Sequence, residues 1–330
     1  MENVKLRIEN LEYVFDLIIN EAWKYQFLTY PNPAVGAAVI VNNQLFTGIH
    51  EKAGSPHAEI NALWNAFRAF NKVPELKKSH EIHEFLLQNH SGFFNRANVY
   101  VTLEPCAHIG KTPSCANLLK HLKPKSVTIG WPDPIEGHGG GAEILKNAGI
   151  EVNVINDKRC YDLIEPFIKW QKRFVFYKLA LTMNGSITGG YISSESSLEW
   201  VHKVRDKIDL LVIGGNTVRI DRPTLDARRV GGRAPDVLIY SKNDGIDRNI
   251  PLFSVENRKV FIEDSLERMN DYKFIMIEGG ERLYNEIKEL VEWKVFIISP
   301  KFANRFNFRS EDEFEILHTL RNDDLIVFGR

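Results

Sequence analysis

The sequence lacks any excess of positive charge. Its 330 residues include 42 Lys and Arg against 43 Asp and Glu, which gives a formal net charge of −1. A protein that holds a long nucleic acid by its phosphates needs a surplus of basic residues. We therefore expect no nucleic-acid partner, whereas a small anionic ligand is compatible with this balance.

Long apolar runs are missing as well. No stretch approaches the roughly 20 apolar residues that span a bilayer. The first residues, from Met1 to Lys5, lack the apolar core of a signal peptide. These absences predict a cytoplasmic protein with no membrane partner.

Cysteine is scarce, with three residues in the whole chain. That number is too small for a disulfide framework, and an odd count leaves at least one cysteine unpaired. Cys160 stands outside any motif and is expected to be a small buried apolar residue. Metal ligation is the better interpretation of Cys106 and Cys115.

What the chain does contain is enough apolar residues, 44%, to bury a core in each of two domains. Helical spacing of apolar residues predicts helices over residues 7–27, from 57 onward, and over 114–122, 142–148, 157–172, 198–206 and 282–291. β-rich runs predict strands over residues 34–41, 45–50, 98–103, 126–130, 151–155, 174–181, 210–213, 237–240, 259–262 and 274–277. This alternation of strands and helices indicates an α/β protein in both halves.

Four residues in the first half form a pattern typical of a zinc-dependent deaminase. His57, Cys106 and Cys115 supply the three protein ligands of a catalytic zinc ion, whose fourth position is left to water. Glu59 lies two residues from His57, beside the metal without binding it, and is predicted to be the general acid and base. A strand leads into Pro105-Cys106, so both cysteines are expected at the ends of elements.

Two other metal sites compete with this interpretation. His108 could be a fourth protein ligand, which would make the zinc structural. The stretch from Asn71 to Arg96 contains His80, His83 and His90, but no cysteine or carboxylate spacing supports a second metal site there.

Four segments resemble the pyrimidine deaminase domain of the bifunctional riboflavin biosynthesis protein: residues 31–36, 53–59, 102–106 and 108–115. Other zinc deaminases have Pro-Cys-x-x-Cys, whereas a longer Gly-Lys-Thr-Pro loop separates the cysteines here. The resemblance implies a cytidine-deaminase-like α/β/α layer domain with a mixed sheet. It also implies that Asn32, His50, Lys111 and Asp133 bind the substrate, with Lys111 suited to a phosphate.

The second half has no Gly-x-Gly-x-x-Gly after a strand, so the standard dinucleotide fingerprint is absent. Residues 178–180, 183–185, 214–228 and 278–280 nevertheless resemble the reductase domain of the same protein, which is similar in fold to dihydrofolate reductase and binds NADPH. By this resemblance, the cofactor contacts are Ala180, Tyr191, Thr217, Asp221 and Gly280. The substrate contacts are Arg205, Leu225, Arg228 and Glu278, with the arginines as phosphate partners.

The chain departs from the family pattern at several positions. Ile135 and Glu136 stand where the family has Asn-Pro, and residues 71–96 form a longer segment than usual. Asn184 replaces an aspartate, residues 191–194 replace a Gly-Glu-Ser-x-Trp segment, and the region after Gly232 is shorter. Reduced cofactor affinity or a lost reductase activity is therefore an alternative for the second half.

The sequence predicts a zinc deaminase domain over residues 1–155, a linker helix over 156–172 and an NADPH-dependent reductase domain over 173–330. The predicted substrate is a small phosphorylated pyrimidine, first deaminated and then reduced at its ribosyl side chain. We also expect a homo-oligomer, either a dimer or a tetramer. One alternative is a zinc deaminase of another nucleobase or nucleotide with a degenerate C-terminal binding module, and another is a structural zinc-binding assembly protein.

Overall fold

The computed structural model describes residues 10–108, 113–188, 190, 192–243 and 245–330. The chain divides into two compact units, one ending at Ile168 and the other beginning at Lys169. The finer boundaries, with residues 156–172 as a linker helix, stay a prediction. Within the described ranges, no helix is both long enough and apolar enough to cross a membrane.

The first unit is built on a five-stranded mixed sheet. Its strands are β1 (Gly36–Val41), β2 (Gln44–Ile49), β3 (Asn98–Leu103), β4 (Ser126–Trp131) and β5 (Glu151–Val154), in the order β2-β1-β3-β4-β5. β1 is antiparallel to both of its neighbours, whereas β3, β4 and β5 run parallel. Its helices are α1 (Leu11–Trp23), α2 (Ala58–Phe70), α3 (Ser79–Asn89), α4 (Cys115–Leu122) and α5 (Gly141–Asn147), and a sixth helix, α6 (Lys158–Trp170), begins in this unit and extends past its last residue.

Helix α2 lies directly on the β1-β2 hairpin, and Gly48 makes this close approach possible. A Cβ atom at Gly48 would stand 2.1 Å from the Ala62 nitrogen and 2.4 Å from the Ala58 oxygen. Buried residues of β3 and of α2 belong to one core cluster, which includes Leu63, Phe67 and Val101. Packing of this kind fixes the N-terminus of α2, where His57 and Glu59 lie.

The second unit contains an eight-stranded sheet in the order β12-β13-β11-β6-β10-β7-β8-β9. Its strands are β6 (Phe174–Thr182), β7 (Leu210–Gly214), β8 (Asp236–Tyr240), β9 (Val260–Glu263), β10 (Phe274–Glu278), β11 (Trp293–Ser299), β12 (Ile316–Arg321) and β13 (Leu325–Gly329). The six strands from β11 to β9 are parallel, and β13 and β12 are antiparallel additions. Helices α7 (Glu195–Arg205), α8 (Gly215–Asp221) and α9 (Glu281–Ile287) connect them.

All predicted strands are present, and the predicted helices are present with ends shifted by a few residues. The largest corrections are an end at Trp23 instead of residue 27 in α1 and an end at Ile287 instead of residue 291 in α9, and the predicted start of the first helix at residue 7 lies outside the described residues. Helices α3 and α8 and strands β11 to β13 were not predicted. β12 is an exposed edge strand with polar residues on both faces, and α8 has only seven residues, so neither carries a strong periodic signal.

Candidate functional site

Three candidate metal ligands come from the ends of three elements. His57 is the N-cap of α2, Cys106 lies shortly after β3, and Cys115 is the first residue of α4. Ser114 joins the two cysteine segments: its hydroxyl donates to the Cys106 carbonyl at 2.8 Å and accepts from the Asn117 N–H at 3.2 Å. The fold therefore brings His57 together with two cysteines that lie 49 and 58 residues further along the chain.

The distances between these ligand atoms fit a metal ion. The His57 Nδ1 atom lies 3.7 Å from the Cys106 sulfur and 3.4 Å from the Cys115 sulfur, and all three atoms lie within 4.8 Å of one another. A tetrahedral zinc ion with Zn–N of about 2.0 Å and Zn–S of about 2.3 Å separates its nitrogen and sulfur ligands by about 3.5 Å. The donor set and its spacing therefore fit zinc, with His57 binding through Nδ1.

Electrostatics favour the ligating form of Cys106. Hydrogen bonding from Cys115 lowers the pKa of the Cys106 thiol to about 4, burial opposes this, and the neighbouring His57 lowers it further. The Cys115 backbone N–H donates to the Cys106 sulfur at 3.4 Å. The side-chain hydrogen bond with Cys106 and burial raise the pKa of the Cys115 thiol well above its ordinary value, so Cys106 is already the thiolate that binds metals, whereas Cys115 releases its proton when it binds one.

Glu59 is buried beside the candidate metal ligands, with 4% of its surface exposed. Burial raises the pKa of its carboxyl to about 7, an effect that the charge of His57 partly opposes. A carboxyl with a pKa near neutrality can both accept and return a proton at neutral pH. This is the property that a general acid and base requires.

Two of the predicted substrate residues lie next to the metal ligands. The His50 and His57 rings are in edge-to-face contact, with centroids 5.4 Å apart. The His50 Nε2 atom lies 3.1 Å from the Asn32 side-chain nitrogen, and its Nδ1 atom lies 3.1 Å from the Pro56 carbonyl oxygen. Burial lowers the pKa of His50 to about 4, so the ring is neutral at neutral pH.

The predicted substrate residue Asp133 belongs to a loop that Glu104 holds in place. The Glu104 carboxylate accepts backbone N–H bonds from Asp133, Gly140 and Ala142 at 3.1, 3.0 and 2.9 Å. Burial raises the pKa of Asp133, whose own carboxylate accepts the Ile135 N–H. The role of Glu104 was not predicted, because the sequence does not show that a residue of the cysteine motif contacts a loop about thirty positions later. Lys111, predicted to bind phosphate, lies outside the described residues.

The alternative metal sites find no support among the described residues. The group of candidate ligands around His57 does not include His108, whose ring packs against His138 with centroids 5.0 Å apart. His80, His83 and His90, on and just after α3, form no cluster of ligating atoms in this part of the chain. Three protein ligands, the number typical of a catalytic zinc site, therefore remain.

In the second unit, the predicted cofactor residues lie around the carboxyl edge of the parallel strands. Ala180 is near the end of β6, Thr217 and Asp221 are on α8 directly after β7, and Gly280 follows β10. Strands β6, β10 and β7 are neighbours, and ligands of open parallel sheets bind at this edge. Tyr191, also predicted to contact the cofactor, lies outside the described residues.

Two glycine pairs, Gly214-Gly215 and Gly279-Gly280, lie at this edge. In each pair one glycine has room for a Cβ atom, so packing within the chain does not require a glycine there. A Cβ at Gly215 or Gly279 would meet a neighbouring side chain at 2.5 or 2.7 Å. At Gly214 and Gly280 the nearest atoms would be 3.7 and 3.6 Å away, which is ordinary contact. The small size of these two residues fits the close approach of a bound dinucleotide.

Two predicted substrate residues, Arg205 and Glu278, form part of a buried ionic cluster. The Glu278 carboxylate lies 2.8 Å from Arg205 Nη2 and 3.3 Å from Lys178 Nζ. Burial alone would raise the pKa of Glu278, but Arg205 and then Lys178 outweigh it and lower the pKa to about 2. Lys178 was not predicted as a site residue, although a lysine within the apolar run of β6 was a usable signal. It faces Glu278 because the two residues are register partners on adjacent strands.

The other two predicted substrate residues follow α8. Leu225 is buried, and its backbone has the left-handed φ of 56°. Arg228 is more exposed and pairs with Asp226, at 2.8 Å from its carboxylate. Asp226 also lies 4.0 Å from His202 of α7, whose pKa burial lowers to about 4, so this histidine is neutral at neutral pH.

Comparison with known families agrees with the two halves of this description. Residues 8–131 match the model of the cytidine and deoxycytidylate deaminase zinc-binding region. Residues 173–329 match the model of the RibD C-terminal domain. Over 297 residues, the chain is 30% identical to the riboflavin biosynthesis protein RibD of Aquifex aeolicus, an alignment that covers 84% of this chain and 77% of that protein. The chain belongs to the RibD family.

A second RibD relative, from Synechocystis, is 34% identical over 226 residues. That alignment covers 65% of this chain and 55% of the relative, so the chain spans about half the length of that protein. A crystal structure from Thermotoga maritima, named as a diaminohydroxyphosphoribosylaminopyrimidine deaminase/5-amino-6-(5-phosphoribosylamino)uracil reductase, superposes with a TM-score of 0.68 at 24% identity. It covers 97% of this chain and 98% of its own and shows that the two share a fold.

Membership of the RibD family confirms the resemblance inferred from the motifs. The predicted fold class is also confirmed: the first half has a cytidine-deaminase-like α/β fold with a mixed sheet, and the second half has an α/β reductase fold. The family description of a zinc-binding region agrees with the metal predicted from the donor set. The roles of individual site residues stay predictions.

Proposed function

We propose that this RibD-family chain is a bifunctional enzyme of riboflavin biosynthesis. Its first reaction is the hydrolytic deamination of 2,5-diamino-6-ribosylamino-4(3H)-pyrimidinone 5′-phosphate. Its second is the NADPH-dependent reduction of the ribosyl side chain, which gives 5-amino-6-(5-phosphoribitylamino)uracil. The observation that carries the proposal is the group of His57, Cys106 and Cys115 at zinc-ligand spacing beside the buried Glu59, in a chain whose other half matches a reductase family.

In the deamination, water replaces an amine of the pyrimidine and ammonia leaves. His57, Cys106 and Cys115 would hold the zinc ion, which supplies a water of lowered pKa when bound. Glu59 would take one proton from the attacking water and pass it to the ring nitrogen, and would then take the second proton from the hydroxyl added to the ring carbon and pass it to the amine, which leaves as ammonia. Asn32 and His50, next to His57, are placed to orient the base.

In the reduction, hydride is added to C1 of the opened ribose and a proton completes the ribityl product. NADPH supplies the hydride, and the chain positions the two reactants. Ala180, Thr217, Asp221 and Gly280 would hold the cofactor at the carboxyl edge of the sheet. Arg205, Leu225, Arg228 and Glu278 would hold the substrate.

The charge of the second site supports an anionic substrate. Lys178, Arg205 and Arg228 carry three positive charges, whereas Glu278 and Asp226, their ion-pair partners, carry two negative ones. This surplus is suited to a phosphate group. The assignment of residues 1–155, 156–172 and 173–330 to deaminase, linker helix and reductase belongs to the same proposal, as do a cytoplasmic location and a homo-oligomeric state.

The direct test supplies the zinc-loaded protein with the diamino pyrimidine substrate and NADPH. Product mass and the NADPH absorbance are followed together. We expect a product that has exchanged one amine for oxygen and gained two hydrogens, with one NADPH consumed for each product formed.

A deaminated product without NADPH oxidation would contradict the reductase assignment alone and favour the alternative of a degenerate second half. No change in substrate would contradict both activities. Conversion of other amino-pyrimidine nucleotides at the same efficiency would contradict the proposed substrate while leaving the deaminase chemistry standing.

A further inference from the structure

Arg258 makes an unusual set of contacts that no motif of the sequence indicated. It lies just before β9, and its guanidinium donates to three backbone carbonyls, those of Thr224, Leu225 and Leu252, at 2.5 to 2.7 Å. Burial lowers the pKa of Arg258 to about 10, with Asp226 opposing and Arg205 adding to this effect. A partly buried cation is thus held by main-chain oxygens from two separate segments.

Two of these carbonyls belong to the turn that carries the proposed substrate residues. Leu225 has a positive φ of 56°, a conformation that a branched side chain rarely adopts without support. Its carbonyl and that of Thr224 both accept hydrogen bonds from Arg258. The contacts therefore act where the backbone is least favourable by itself.

The rest of the turn is held from its other side. Asp226 accepts a hydrogen bond from Arg228 at 2.8 Å, and the adjacent Arg229 pairs with Glu195 of α7. The turn from Thr224 to Arg228 is therefore fixed between α7 and Arg258. Moving its main chain would move both Leu225 and Arg228.

We propose that Arg258 is a positioning residue of the reductase site: its guanidinium fixes the turn of residues 224–228 in the conformation that presents Leu225 and Arg228 to the phosphorylated substrate. This inference rests on the proposed function. It goes beyond that function because Arg258 belongs to no predicted site and reaches the substrate only through the backbone that it holds.

The test compares Arg258→Met and Arg258→Lys with the unchanged protein and with Arg305→Met. Arg305 is an exposed arginine of the same unit, so its variant is a matched control. The reduction is assayed with the deaminated ribosyl substrate and NADPH, and the KM for substrate, the KM for NADPH and kcat are measured separately. Deamination by the same chain reports on the other half.

For Arg258→Met we expect the KM for the ribosyl substrate to rise roughly tenfold or more, since hydrogen bonds from a charged group are lost. The KM for NADPH, the deamination rate and all constants of Arg305→Met should stay near those of the unchanged protein. Arg258→Lys should recover only part of the loss, because an ammonium cannot reach two segments as a planar guanidinium does. Guanidinium ion added to Arg258→Met should lower the raised KM.

A fall in kcat alone, with an unchanged KM for substrate, would mean that Arg258 only maintains the folded fraction and would overturn the inference. A lower melting temperature of Arg258→Met with an unchanged KM for the ribosyl substrate would lead to the same conclusion. If the unchanged protein reduces no ribosyl substrate, the proposed function itself fails and takes this inference with it. If the unchanged protein reduces the ribosyl substrate and Arg258→Met has the same KM for it, only the inference about Arg258 is contradicted.

Discussion

At the scale of single residues, a substitution of Glu59 distinguishes a catalytic metal site from a structural one. It is buried beside Cys115 and His57 and is not itself within the group of three ligands. Glu59→Gln should therefore keep zinc and lower the deamination rate by roughly 100-fold or more, since proton transfer by a positioned side chain contributes that much. Zinc content is measured by mass spectrometry and the rate by ammonia release.

Glu12→Gln, a change at an exposed carboxylate of the same unit, is the control and should keep full activity. Retained turnover in Glu59→Gln would assign the zinc a structural role. Loss of zinc from Glu59→Gln would mean that Glu59 supports the metal site and not the proton transfer.

The sequence could predict those site residues whose role follows from the residue types and from their order along the chain. His57, Glu59, Cys106 and Cys115 formed such a pattern, and the structure brings them together. Lys178 pairs with Glu278 only because of the register of two strands, and Arg258 acts through main-chain carbonyls. The sequence marks Lys178 as a charged residue in an apolar run but does not show that Glu278 is its partner, and it shows no pattern for the contacts of Arg258.

At the scale of elements, Glu104 connects the end of β3 to the loop that leads into α5. Its two carboxylate oxygens accept three backbone N–H bonds, from Asp133, Gly140 and Ala142. In Glu104→Gln the amide nitrogen must face at least one of these N–H groups, so at least one bond becomes a contact between two donors. We expect the KM for deamination to rise roughly tenfold, since a buried donor without an acceptor costs about 1–3 kcal/mol.

Glu136→Gln, at an exposed position of the same loop, is the matched control and should leave the KM unchanged. Zinc content should stay the same in both variants, because Glu104 contacts the loop and not the metal ligands. An unchanged KM in Glu104→Gln would show that the loop does not contribute to substrate binding.

The elements show which parts of the fold were predictable. Strands with apolar runs, such as β3 and β4, were located within one residue because burial on both faces leaves a continuous signal. β11 has the same signal in Trp293–Ser299 and was overlooked. β12 and α3 are half-exposed and polar, so their formation depends on tertiary contacts that the local sequence does not reveal.

At the scale of the whole molecule, each activity should depend on its own set of ligands. The metal ligands all belong to the first unit, and the ionic cluster around Glu278 belongs to the second. Removing zinc with a chelator should abolish deamination and leave reduction of the deaminated substrate within about twofold, since no predicted reductase residue binds the metal. Added zinc should restore deamination. A reductase rate that falls in parallel with zinc loss would contradict this independence.

Stability should also depend on pH through buried histidines. Burial lowers the pKa of His50, His202 and His318 to about 4 in each case. Since an unfolded histidine titrates near 6.5, the unfolded chain binds more protons between these values, and the free energy of unfolding falls as pH decreases from about 6.5 to about 4. Urea unfolding of the metal-loaded protein across this range measures the slope.

His202→Gln should reduce that slope in the transition of the second unit, because one of its titrating groups is gone. The comparison uses the slope and not the absolute stability, which the substitution itself can change. An identical slope in the variant would show that His202 does not titrate in this window.

The contacts of His50 also determine the orientation of the Asn32 amide. The Pro56 carbonyl can only accept, so the neutral ring carries its proton on Nδ1, and Nε2 must accept from the Asn32 amide nitrogen. That contact leaves the Asn32 amide oxygen as the atom it does not use. The main-chain oxygen of Pro56 thus sets the orientation of the Asn32 amide through the His50 ring: the amide nitrogen faces His50 with one hydrogen, its second hydrogen can still donate, and the amide oxygen can accept an N–H from a base.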